Sequence, residues 1–254
     1  MAVVNERPPV ERPRAEVLHQ LEANGLCVLN RYLDAGSVEN LTSALAESES
    51  DGDEEAGRHS PFRQKRGVRF ARRNLLSCDF IRRIIASDPV VDLVKYIDPA
   101  AVAVRAILFD KTGDANWTVP WHQDRSIAVA RQIEAPGFGP WSQKAGVIHV
   151  QPPLEILTAM FTLRLSLDDC GPANGPLRTI AGTHRSILDS AAVEKFAREQ
   201  PESICATEAG GVVIMRPLIL HASSPARIAH GHRRVLHIEF GPAELPGGLV
   251  WAMV

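Results

Sequence analysis

The hydrophobic positions of this chain change their period once. In RAEVLHQLEANG (14–25) apolar residues fall at 15, 17, 18 and 21, the spacing of a short amphipathic helix that Gly25 stops. LCVLN then reads as a strand, and SVENLTSALAES predicts a second helix with Ser37 as its N-cap. FIRRIIASDPVVDLVKYID gives two short helices divided at Asp88-Pro89, because the residue before a proline is pushed out of helical backbone. After Pro99 the pattern shortens. VAVRAILFD, TVPWHQDRSIAVA, FTLRLSLDD, PLRTIAG, SICATE, GVVIMRP and RRVLHIEFG are short β-like runs cut by Gly, Pro and Asn turns. PPLEILTAM and SILDSAAVEKFARE interrupt them as helices.

Helices first and then many short strands is not the alternation of a parallel α/β sheet. It predicts a mainly β fold with flanking helices (α+β), an antiparallel sandwich or a cupin-like jelly roll backed by N-terminal helices. We expect one domain over 1–254, with a loose arm at 1–13, a mainly helical flank at 14–98 and the jelly-roll core at 99–243. Barrels of this kind hold their site in the mouth, on side chains from several strands.

Composition narrows the function classes. A formal net charge of −2 gives no electrostatic case for nucleic acid or an anionic membrane. There is no apolar run of bilayer length, and MAVVNERPPVERPR lacks the apolar centre of a signal peptide. Cys27, Cys78, Cys170 and Cys205 are scattered without a CxxC, which suits a reducing, cytoplasmic setting. Neither a GxGxxG nor a Walker-type loop is present. The acidic ESDGDEEAGRHS and the basic RQKRGVRFARRN nearly cancel. They read as a solvated or ion-paired face, with Arg72 and Arg73 as an alternative lure for an anionic substrate.

The candidate chemistry begins in VPWHQDRSIAV. On a strand, residues i and i+2 share a face, so His122 and Asp124 project together while Gln123 turns away. A third ligand is available in GGVVIMRPLILHAS, which ends on His221 two residues before Ser223. Two histidines and one carboxylate form the facial triad of non-haem Fe(II) oxygenases. Three protein ligands leave three positions on an octahedral ion, two for a bidentate 2-oxo acid and one for O2. A 2-oxo diacid also needs a cation for its far carboxylate, and a guanidinium in a dry pocket is the strongest choice. In HGHRRVLHIEFG, Arg234 shares a face with Leu236, Ile238 and Phe240, an apolar set suited to packing. Arg233 shares its face with Val235, His237 and Glu239, a more polar set suited to a barrel interior. Arg233 is therefore assigned the clamp, with Arg234 as runner-up.

WHQD at 121–124, NGPLRTIAGTHR at 174–185, H-x-S at 221–223 and RRVLHIEF at 233–240 together resemble the phytanoyl-CoA dioxygenase (PhyH-like) family over roughly 16–243. The resemblance implies a double-stranded β-helix and an oxygenase that uses Fe(II), 2-oxoglutarate and O2. It implies His122, Asp124 and His221 as iron ligands, and Arg233 with Ser223 on the 2-oxoglutarate carboxylate. Lys111 and Gln123 carry over as weaker cofactor-side contacts, Gln123 only if the strand is distorted. Asp124 favours hydroxylation over halogenation, since related halogenases put a small residue there.

The chain departs from the family pattern at Ala181-Gly182-Thr183-His184, where P-G-S-H is usual, and at Ser224-Pro225-Ala226, where an Asn is frequent. The gap to the arginine is one residue longer, which keeps Arg233 and Arg234 both open. Trp141 and His149 lie on a long Gly/Pro-rich segment of the kind that covers sites, and contact substrate or cofactor on that reading. Arg178 is either a substrate contact or a structural ion pair. His184 belongs to a turn, His237 to a supporting position inside the barrel, and His19, His59, His230 and His232 to the surface. The expected function is hydroxylation of a small molecule with release of succinate and CO2. The rivals are a cupin-like metal isomerase, lyase or hydrolase that does not use 2-oxoglutarate, and a non-catalytic binding protein.

Overall fold

The computed structural model of the protein describes residues 14–50, 62–65, 68–113, 116–144, 146–227 and 231–254. The expected arm at 1–13, the acidic run from Asp51, His59 and His230 lie outside the described residues. Helix α1 (Arg14–Asn24) ends at Gly25, whose φ of 81° is left-handed. A Cβ at that position would lie 2.5 Å from the His184 ring, so the turn also needs glycine for space. Strand β1 (Leu26–Leu29) follows.

Helix α2 (Ala35–Ser50) starts two residues before the expected cap, and Ser37 is not that cap. Asp34 takes the position, its carboxylate accepting the Ser37 amide at 2.8 Å and the Ser37 hydroxyl at 2.7 Å. A charged acceptor at the positive end of a helix outcompetes a hydroxyl.

A second correction concerns the basic stretch. Residues expected to belong to a helical flank form β2 (Phe62–Lys65) and β3 (Val68–Arg72), an antiparallel hairpin. β4 (Ala101–Lys111) accepts β3 along its edge, Ala71 opposite Phe109 and Arg72 opposite Leu108. Backbone pairing with a long neighbour makes these strands, and a charge-rich segment carries no apolar period to announce it. α3 (Asp79–Ile85) and α4 (Asp88–Ile97) are the two short helices expected, but they divide at Ser87 rather than at Asp88-Pro89, because Asp88 and Pro89 open the first turn of α4.

The remaining strands are short. β5 (Val119–His122), β6 (Ile127–Val129), β7 (Trp141–Lys144) and β8 (Val147–Val150) precede helix α5 (Leu154–Ala159). β9 (Phe161–Ser166) and β10 (Leu177–Ile180) come next. Helix α6 (Ser190–Glu199) starts later than SILDS suggested, because the Asp189 carboxylate caps it through the Ala192 amide at 2.8 Å. β11 (Ser203–Cys205), β12 (Val212–Met215), β13 (Leu220–Ser223) and β14 (Arg233–Pro242) complete the chain.

The strands form a major antiparallel sheet, β1-β12-β9-β14-β4-β3-β2, and a minor one, β11-β10-β13-β5. A further three-stranded sheet, β6-β8-β7, stands beside them. The major sheet has two unlike faces. Leu163, Leu165, Ile214, Leu236, Ile238 and Phe240 pack with Val17, Leu21, Leu41, Ile81 and Val90 of the helices into the main core. Burial of that apolar set outweighs the cost of ordering the helical flank. The opposite face carries Arg105, Phe109, Lys111, Arg164, Arg233 and His237 and lines a cavity of about 1000 Å³. The period of two in β4 and β14 thus separates core from site.

Candidate metal centre and its cavity

The minor sheet positions two of the metal-ligating candidates. His221 of β13 stands opposite His122 of β5 in register, with ring centroids 4.2 Å apart. β5 ends at His122, and Asp124 is held just beyond it by its amide donating to the Pro217 carbonyl at 2.9 Å. The Asp124 carboxylate lies 3.7 Å from His122 Nε2 and 3.7 Å from His221 Nε2. One donor atom from each of the three side chains falls within 4.8 Å of the others, a spacing that one ion can bridge.

The imidazoles are set for coordination by an identical local device. His122 Nδ1 faces the Pro120 carbonyl at 2.8 Å, and His221 Nδ1 faces the Ile219 carbonyl at 2.8 Å. A carbonyl can only accept, so Nδ1 carries the proton and the Nε2 lone pair points to the shared centre. Burial pushes His221 down to about 4, which keeps the ring neutral and ligating. Burial alone would raise the Asp124 carboxyl, but His221 and His122 outweigh it and bring it down to about 2.

Beside this centre lies a dry cationic couple. Arg233 faces Lys111 across β14 and β4, and both are almost fully buried. Lys111 Nζ donates to Ser223 Oγ at 2.8 Å and to the Ser224 carbonyl. Arg233 Nη2 donates to the Gly175 carbonyl at 3.1 Å, while its Nε, though buried, has no hydrogen-bond partner among the described residues. Burial and the nearby Arg233 lower Lys111 to about 7. Two neighbouring buried cations without a carboxylate form a receptor for an anion. The NGP turn makes the approach possible, because a Cβ at Gly175 would lie 2.5 Å from the Ser224 carbonyl oxygen. Arg234 faces the other way and is bidentate on Asp168, at 2.9 and 2.7 Å.

Other sequence expectations place elsewhere. Gln123 does not face the cavity and is corrected to a structural strut. Its Nε2 donates to the Leu218 and Ser186 carbonyls at 2.6 and 2.9 Å, and its Oε1 accepts the Leu188 amide at 2.8 Å. β5 shifts register against β13 and ends at His122, and the hydrogen bonds of Gln123 hold its side chain in the 183–188 segment and against Leu218. Arg178 is likewise turned out. It pairs with Glu202 at 2.9 Å and stacks 5.2 Å from the Trp121 ring centroid, the structural alternative of the two considered. Trp141 packs into a satellite apolar cluster, its buried Nε1 without a partner among the described residues, and does not line the cavity. His149 is buried, neutral and held near pKa 4 by burial. The pairing of β7 with β8 puts it on the side of Lys144, whose side chain reaches the cavity.

The structure adds residues that no sequence motif marks. Arg164 Nη1 donates to His237 Nδ1 at 2.9 Å, His237 Nε2 faces Glu239 at 3.3 Å, and Arg105 Nη1 donates to Glu239 at 3.1 Å. Burial keeps His237 neutral, so the supporting position expected of it is a relay between a guanidinium and a carboxylate. The signal for Arg105 and Arg164 was present in VAVRAIL and FTLRLS, a lone charge inside an apolar run.

A metal-ready triad of two histidines and an aspartate inside an antiparallel barrel, next to a buried anion receptor, defines the class of non-haem iron oxygenases. Comparison with known proteins makes this specific. The chain belongs to the phytanoyl-CoA dioxygenase (PhyH) family, whose family model matches residues 21–235. A search of curated proteins returns no match.

Among solved structures, the chain is similar to AviO1 from Streptomyces viridochromogenes Tue57, at 21% identity and a TM-score of 0.66, covering 92% of this chain and 96% of that one. It is similar to EctD from S. alaskensis with bound Fe, at 15% identity and a TM-score of 0.70, covering 95% and 80%. HygX from Streptomyces hygroscopicus with iron bound is similar at 15% identity and a TM-score of 0.60, covering 92% and 88%. These likenesses show a shared double-stranded β-helix. Family membership makes the chain an Fe(II)- and 2-oxoglutarate-dependent oxygenase, which sets aside the isomerase, lyase or hydrolase reading and the binding-protein reading.

Proposed function

We propose that the protein hydroxylates a small molecule at a centre held by His122, Asp124 and His221, with succinate and CO2 released from 2-oxoglutarate. The observation that carries this is the placement of the three ligands and the Arg233–Lys111 couple in one cavity. In the overall balance, one oxygen atom of O2 enters the substrate C–H bond and the other enters succinate. Iron(II), when bound, supplies the redox chemistry that activates O2.

The chain's own residues do the positioning. Arg233 and Lys111 hold the far carboxylate of 2-oxoglutarate, with Ser223 fixing the Lys111 ammonium between them. That anchoring leaves the 2-oxo acid end for the metal. The backbone carbonyls of Pro120 and Ile219 keep both Nε2 atoms on the metal side. Asp124 fills the position that a halide would need, which favours hydroxylation over halogenation.

Anaerobic addition of Fe(II) and then 2-oxoglutarate tests this reading. A visible metal-to-ligand charge-transfer band is expected, and His122→Ala or Asp124→Ala removes or greatly weakens it. A wild-type protein without the band overturns the proposal.

A further inference from the structure

The cavity has a second end that the cofactor does not use. On β4 and β14, Lys111 pairs with Arg233 and Arg105 pairs with Glu239 six residues further along, roughly 20 Å away at the rise of a β-strand. The metal ligands His122, Asp124 and His221 line the same cavity. Around Arg105 and Glu239 the cavity is lined by Lys144 and Arg73, with Arg164 midway along the wall opposite His237.

Glu239 is already engaged by Arg105 and His237. Arg164 is turned onto the neutral His237 ring and over the face of Phe109, 5.9 Å from its centroid. Lys144 donates to a neutral acceptor, Ser126 Oγ, at 2.7 Å. Counting only Arg105 and Lys144 against Glu239, one positive charge remains over. The cofactors do not cancel it. Iron(II), Arg233 and Lys111 against Asp124 and dianionic 2-oxoglutarate leave their own end one positive charge over. Surplus positive charge in a partly enclosed cavity is unfavourable until an anion enters.

We infer that this chamber binds an anionic group of the primary substrate, a carboxylate or a phosphate monoester. Arg105 and Lys144 meet the anion and set specificity. Glu239 and His237 are positioning residues that hold Arg105 and Arg164 in place. The inference rests on the oxygenase reading for the identity of the cofactor end, but the charge count of the far end stands on the side chains themselves.

The test is anaerobic calorimetry of protein loaded with Fe(II) and 2-oxoglutarate, so that Arg233 and Lys111 are occupied. Hexanoate, hexyl phosphate and neutral hexanamide are the probes. At least one anion is expected to bind about tenfold or more tighter than the amide, and the better anion tells carboxylate from phosphate. Lys144→Gln should weaken that anion about fivefold, a modest effect because the side chain is half in water. Arg105→Gln should weaken it further, but it strands Glu239, so the Lys144 variant carries the test alone. Both variants should keep 2-oxoglutarate affinity within about twofold, since each lies far from Arg233. Equal binding of anions and amide, no anion binding, or an unaffected Lys144→Gln protein overturns the inference. Charge-selective binding without a visible band in wild type would sink the oxygenase reading and leave the anion site standing.

Discussion

Arg233 and Arg234 are neighbours whose replacement should fail in opposite assays. Arg234→Met removes two side-chain bonds to Asp168, at 2.9 and 2.7 Å, and leaves the backbone bond at 2.8 Å. Charge-assisted bonds contribute about 1.5–3 kcal/mol each when dry. Both side chains keep about a fifth of their surface exposed (22% and 21%), so screening cuts the pair to about 2 kcal/mol. At about 2–4 °C per kcal/mol for a chain of this size, Tm falls by roughly 4–8 °C. Arg233→Met instead takes away a buried cation with an unpartnered Nε, so the apo protein should hold its stability or gain slightly. Its loss appears with 2-oxoglutarate. Losing a guanidinium from the far carboxylate removes about 3–4 kcal/mol, which is two to three powers of ten in Kd. Denaturation with and without 2-oxoglutarate, paired with titration of the visible band, reads both effects. At about 100 times Kd the co-substrate stabilises wild type and Arg234→Met by about 2.7 kcal/mol, and Arg233→Met by almost nothing. If Arg234→Met loses 2-oxoglutarate while Arg233→Met keeps it, the face assignment is wrong.

Two further outcomes follow from the same geometry. Gln123→Leu leaves the Leu218 and Ser186 carbonyls and the Leu188 amide unmatched, which should cost about 3 kcal/mol in urea denaturation. 2-Oxoglutarate affinity should barely move, and a large drop in affinity at unchanged stability would return Gln123 to the cofactor. Lys111 sits at about 7 in the free protein, and a bound carboxylate beside it raises that value. Binding therefore takes up a proton above neutrality, so 2-oxoglutarate affinity should fall as pH rises from about 7, by up to about tenfold per unit. Lys111→Met should flatten that slope, and an unchanged slope in the variant would show that another group titrates.

Much of the site was legible because strand alternation is a local rule. It separated Arg233 from Arg234 within two residues of chain, whereas Asp124 meets His122 from just beyond the end of β5, held by its amide on the Pro217 carbonyl. The helices over 79–97 were equally readable from apolar spacing and one proline. The cap of α2 was misplaced because Asp34 and Ser37 both satisfy the local rule, and only the carboxylate's geometry chooses. β2 and β3 were missed because an edge hairpin takes its order from the strand it joins.

The sequence by itself determined the period change at Pro99, the antiparallel class and the chemical identity of the triad. Each of these is written in residue type and near-neighbour spacing. Only the tertiary structure decided which charges share a cavity. Arg105, Lys144, Arg164 and Glu239 come from different strands and meet because β9, β14 and β4 are hydrogen-bonded in that order, with β7 beside them. That order is set by burying the helix-facing side of the sheet, a long-range packing requirement that leaves no period in the polar residues it gathers on the other side.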